Sequence, residues 1–274
     1  ELKDTSRTII FKNVEEPVTP SLLRGFSAPV RLDYNYSEAD LLLLIASDSD
    51  QFNRWQASQT YATQLMKTSV TQLRAGKPAA DPEKFCGALT GALERYAADM
   101  EFTALILTLP GESDMAREIA NDVDPQAIYQ ARTALRQALG AVQMDRLQRM
   151  YDHAASLSSE VFDPANSGPR AIKAASLALI AAADPAVGTM LATNQLAHAN
   201  TMTDRISALN TLGQIGGESA DRAFAEFYTE HADDALVVDK WFSLQAMIAG
   251  EGALERVRNL MNHPAFSLNN PNRL

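Results

Sequence analysis

Three stretches of this chain, KAASLALI (173–180), RISALNTL (205–212) and KWFSLQAM (240–247), superimpose at offsets of 32 and 35 residues. Lys173, Arg205 and Lys240 share one column, Leu177, Leu209 and Leu244 a second, and Ile180, Leu212 and Met247 a third. Steps of four and three between columns keep them on one face of an α-helix. Each stretch is followed by a breaker and a second helical run: VGTMLATNQLAHA, ADRAFAEFYTEH and LERVRNLMNH. A helix pair of this size cannot bury its apolar face alone, so repeated pairs stack, each covering the next. RWQASQTYATQLM (54–66) opens with the same basic-Trp-x-small order as KWFSLQAM, which places Trp55 and Trp241 as core anchors of helix pairs.

The helical pattern begins at Ser37, an N-cap signal ahead of EADLLLLIA with acidic residues in the first turn. Breakers then punctuate the chain at AGKPAADP (75–82), LPGESD (109–114), VDP (123–125), FDPANSGP (162–169), ADP (183–185), IGGES (215–219) and AGEG (249–252). Residues 1–36 read differently. RTIIFKNV and APVRLDYNY are β-branched and aromatic runs with partial alternation, which predicts two strands. Two strands cannot cover both faces or protect their edges, so something upstream is expected to complete that sheet. The expected fold is mainly α: an α-helical superhelix of HEAT/armadillo-like helix pairs over 37–274, preceded over 1–36 by two β-strands left from a β-sandwich.

Composition narrows the function classes. With 24 basic and 34 acidic residues the chain carries −10, a field that repels phosphate backbones and anionic headgroups, so neither nucleic acid nor a membrane surface is expected as a partner. The longest apolar runs, DLLLLIA and ASLALIAAA, fall far short of the ~20 residues that span a bilayer. The first residues lack a basic n-region and an apolar core, so no secretory leader is expected within them. Cys86 is the only cysteine; it cannot form an internal disulfide and reads as a small buried hydrophobe.

Catalytic signals are missing. The four histidines, His153, His198, His231 and His263, form no H-E-x-x-H pair, and no G-x-S-x-G elbow, P-loop or C-x-x-C occurs. The adjacent acids Glu15–Glu16 and Asp233–Asp234 read as solvated charge. No residue of this chain is expected to be catalytic or to bind a metal.

Five phrases carry a resemblance: FSAPVRLDYNYSEADLLLLIASDSDQFNRWQASQTYA, LTLPGESDMAREIANDVDPQAIYQAR, ANTMTDRISAL, VVDKWFSLQA and HPAFSLNNPNR, in that order. Together they resemble the C-terminal portion of the proteobacterial aminopeptidase N family, zinc-dependent alanyl aminopeptidases. The resemblance implies that the zinc motif and catalytic domain lie upstream, that the helical domain continues past Leu274, and that the parent is a cytoplasmic enzyme. It also implies that zinc is the parent's cofactor and is not bound by this segment. The partners implied are the upstream catalytic domain of the same polypeptide and short peptide substrates. The segment would wall the substrate chamber and limit access to it. Arg273, in NNPNR, is the residue placed near that chamber, because a guanidinium holds a peptide carboxylate bidentately; the competing reading makes the asparagines turn formers and Arg273 a helix-end partner. From another class, a free-standing helical-repeat binding module stays open; it would need polar capping repeats at both ends.

Overall fold

The computed structural model describes residues 5–28, 30, 32–94, 96–157 and 163–269. Among them run twelve α-helices: α1 (Glu38–Ser47), α2 (Gln51–Arg74), α3 (Glu83–Glu94), α4 (Met100–Leu107), α5 (Glu112–Ile119), α6 (Pro125–Ser156), α7 (Ser167–Ala183), α8 (Pro185–His198), α9 (Met202–Ile215), α10 (Glu218–His231), α11 (Ala235–Ala246) and α12 (Ala253–Met261).

Much of the acidic excess starts helices. The carboxylates of Asp50, Asp99, Asp124, Asp184 and Asp234 cap α2, α4, α6, α8 and α11 by accepting first-turn N–H groups. Each satisfies donors that a helix leaves orphaned and sits at the positive end of its dipole. Asp234, read from sequence as solvated charge, is therefore a structural cap. Ser37 forms a capping box with Asp40: Asp40 N–H donates to Ser37 Oγ at 3.2 Å and Ser37 N–H to Asp40 Oδ2 at 3.0 Å.

The long helix α6 organises the first half, packing on α2, α3, α5 and α7. Buried Gln143 joins it to α3, donating Nε2 to the Cys86 carbonyl at 3.0 Å and to Thr90 Oγ1 at 3.2 Å. Gly140 lets α7 approach: an added Cβ there would stand 2.2 Å from the Leu179 carbonyl oxygen. The second half is a run of hairpins. α7 packs on α8 and α9, α9 on α10 and α11, and α11 on α12, which is the stacking of helix pairs that the repeat predicts.

The repeat columns acquire physical roles. Leu177, Leu209, Ile180 and Leu212 are buried, whereas Met247 lies just past α11 and is 74% exposed. Lys173 is buried and paired with Asp204 of the next hairpin at 2.9 Å. Tyr151 and Gln195 extend this contact: Tyr151 Oη donates to Gln195 Oε1 at 3.1 Å, and Gln195 Nε2 to the Asp204 carbonyl at 2.9 Å. Arg205 pairs outward with Glu230 at 2.6 Å, and Lys240 is exposed.

Among the described residues of 1–36 no ladder forms and Ile9, Ile10 and Phe11 are exposed, as strand runs without the rest of their sheet would be. Instead, residues 19–25 dock on the first two helices. Asn53 Nδ2 donates to the Leu22 carbonyl at 2.9 Å, Arg24 pairs with Asp48 at 2.7 Å, and Gly25 N–H donates to Asp50 Oδ2 at 2.9 Å. Trp55 is half-buried against Phe52, 5.6 Å between ring centres, rather than a core anchor. Its neighbours Ala57 and Ser58 take the buried face of α2. Trp241 does anchor a pair: it is buried and donates Nε1–H to the Phe224 carbonyl at 2.9 Å.

Candidate functional site

A groove of about 810 Å³ crosses the face made by α6, α7 and α9, from the α4–α5 turn to Met247 and Ala249 beyond α11. Small residues of α7, Ala175, Ala178 and Ala182, keep its floor low. Polar groups rise from the walls: Tyr129, Arg132 and Arg136 from α6, Asn210 and Gln214 from α9, and Glu112 from the first turn of α5.

The two arginines dominate its electrostatics. They lie four residues apart, on one face of α6, beside buried Ala131 and Leu135. Arg132 Nε donates to the Pro110 carbonyl at 3.0 Å and Arg136 Nη2 to the Ala178 carbonyl at 3.0 Å. Neither is within 4.0 Å of a carboxylate among the described residues. Burial pushes the Arg136 pKa below the usual arginine range, and the Arg132 charge adds to that push. It stays cationic at neutral pH, since guanidinium does not deprotonate in proteins.

The imidazoles are occupied elsewhere. His198 Nδ1 lies 2.9 Å from the Asn194 carbonyl, and His231 Nε2 accepts from Arg205 Nη1 at 3.1 Å. His263 Nδ1 accepts from Ala265 N–H at 3.1 Å inside a ring cluster with Tyr228, Trp241 and Phe242. Cys86 is fully buried, and burial pushes its thiol up to about 11, so it offers no thiolate near neutrality. Among the described residues no three of His, Cys, Asp and Glu converge. Arg273, placed near the chamber from sequence, lies outside the described residues. Arg132 and Arg136 were missed; the available signal was ARTALRQAL, a like-charge pair at i, i+4 on an Ala/Leu-rich helix, a spacing that costs stability unless something answers it.

Residues 38–274 match a family described as a domain of unknown function (DUF3458_C) with ARM repeats, and residues 1–35 one described as a domain of unknown function (DUF3458) with an Ig-like fold. The chain belongs to the DUF3458_C family. Along its whole length it is 35% identical to aminopeptidase N of Caulobacter vibrioides, covering 31% of that protein. It is 33% identical over 269 residues, 98% of its length, to aminopeptidase N of Escherichia coli, again 31% of that chain. A crystal structure of Legionella pneumophila aminopeptidase A in complex with aspartic acid superposes with a TM-score of 0.80 at 28% identity, over 96% of this chain and 31% of that one. The chain thus spans about three tenths of the relatives it matches, and it corresponds to the C-terminal part of an aminopeptidase N. The resemblance read from the five phrases is borne out, as is the helical-repeat architecture.

Proposed function

We propose that this DUF3458_C chain is the non-catalytic wall of the substrate chamber in a zinc metallo-aminopeptidase that removes N-terminal residues from short peptides. One observation carries the reading: the broad groove on the face of α6, α7 and α9 mixes an apolar floor with polar walls, as a peptide-lining surface requires, yet its residues offer no nucleophile–base pair. Zinc and the groups that act on the scissile bond belong upstream in the same polypeptide, and this segment decides what reaches them. That is selection by shape and access, with little free energy drawn from any single contact.

Complementation tests it. The upstream portion of the parent polypeptide is expressed separately, mixed with this chain, and assayed with alanyl p-nitroanilide. Hydrolysis in the mixture that neither part shows alone supports the reading. Association without any gain in activity, or no association, removes it and leaves a free-standing helical-repeat binding module as the better account.

A further inference from the structure

We propose that Arg132 and Arg136 form a carboxylate-binding site in the groove, taking a peptide that presents either a free C-terminus or an acidic side chain. The site rests on the reading that this face borders peptides. Two guanidiniums at i, i+4 repel one another, and a half-buried cation without a counter-ion is costly to keep. Each uses one donor on a carbonyl, at 3.0 Å, out of the five that a guanidinium carries. The remaining forks reach the groove and suit the planar, two-oxygen geometry of a carboxylate. Glu112 lines the same groove without ion-pairing to either arginine, so it offsets the charge only in part.

The surroundings define the rest of the ligand. The floor of Ala175, Ala178 and Ala182 accepts small apolar side chains, and about 810 Å³ holds several residues rather than a lone ion. The chain as a whole carries −10, which disfavours diffuse anion binding; a bound carboxylate therefore reports on this local pair.

Isothermal titration of the 274-residue chain with three peptides tests the site. N-acetyl-trialanine carries a terminal carboxylate, N-acetyl-Ala-Asp-Ala amide a side-chain carboxylate, and N-acetyl-trialanine amide none. At least one carboxylate peptide is expected to bind about tenfold or more tighter than the neutral amide, with the better of the two naming the source. Arg136→Gln and Arg132→Gln are each expected to weaken it by about tenfold. Arg132 touches the protein through one carbonyl, so its variant remains informative if Arg136→Gln perturbs folding, which circular dichroism reports. Arg146→Gln, ten residues along α6 and paired with Glu94 at 3.4 Å, removes the same charge away from the groove and is expected to change nothing. Equal binding of all three peptides, no binding by any, or an equal effect of Arg146→Gln overturns the site. Carboxylate-dependent binding without complementation keeps the site and removes the chamber; complementation without such binding removes the site and keeps the chamber.

Discussion

Replacing Gly140 by alanine asks whether the α6–α7 contact is as close as it stands. The new methyl would meet the Leu179 carbonyl oxygen at 2.2 Å and Ala183 Cβ at 2.9 Å. Ordinary carbon–oxygen contacts begin near ~3.3 Å, so the two helices must part by about 1.1 Å. The obstacle is backbone held in the α7 hydrogen-bond ladder, and no rotamer change removes it. Overpacking of this kind costs about 1–3 kcal/mol, against about 1 kcal/mol gained from alanine's higher helix propensity. With a rigid obstacle the net loss is about 2 kcal/mol, which for a chain of this size lowers Tm by about 4–8 °C. Thermal unfolding followed by far-UV circular dichroism measures it. Gly87→Ala in α3 is the internal control: Gly87 is exposed with nothing within 4 Å of the added methyl, so the same change is expected to raise Tm by a few degrees. A Gly140→Ala protein as stable as the parent, or both variants moving in the same direction, would refute the reasoning.

Lys173→Met strands the buried Asp204 carboxylate and is expected to cost about 3–5 kcal/mol in urea unfolding, while Lys173→Met with Asp204→Leu recovers most of that loss. A double variant no better than the single one would mean the pair is not what the site requires. Burial pushes the Tyr151 hydroxyl to about 12 and the Cys86 thiol to about 11, from unfolded values of 10.0 and 9.0. Raised folded-state pKa values mean that the stability each protonated group contributes is whole below its unfolded value and lost as pH rises towards its folded one. Tm is therefore expected to fall between pH 9 and 12, with Cys86→Ala removing the earliest part of the decline; a Cys86→Ala profile identical to the parent's would contradict this. Native Cys86 is also expected to resist Ellman's reagent at pH 8 and to react fully in guanidinium, and rapid native labelling would show that the thiol is accessible.

Helix ends were the most legible part of the sequence, because they are written in residues with local physical effects. ADP at 183–185 closes α7 at Ala183 and opens α8 at Pro185 through one aspartate, and AGKPAADP separates α2 from α3. Breaks made by single caps were harder: Asp50 between α1 and α2, and Thr201 ahead of α9, sit among polar residues that look alike in sequence. Trp55 misled because its local pattern copies that of Trp241, while burial depends on which face the neighbouring helices cover. The strand runs at 1–36 show in β-branched composition, and 1–35 match an Ig-like family, but the ladder itself is a property of a pair of segments and is not legible in either one alone. The groove was the least legible. Arg132 and Arg136 carry no motif, and only the approach of α7 and α9 turns a charge pair on one helix into a recess; the approach of α7 depends on Gly140, whose role shows only once the two helices pack.

The proposed chamber wall is tested most directly by size selection in the assembled enzyme. An alanyl tripeptide and a compact folded protein displaying the same three residues at a flexible N-terminus are compared by kcat/KM. A wall that limits access predicts steady hydrolysis of the tripeptide and a loss of orders of magnitude for the folded protein. Equal rates for the two would contradict the claim that this helical segment controls entry.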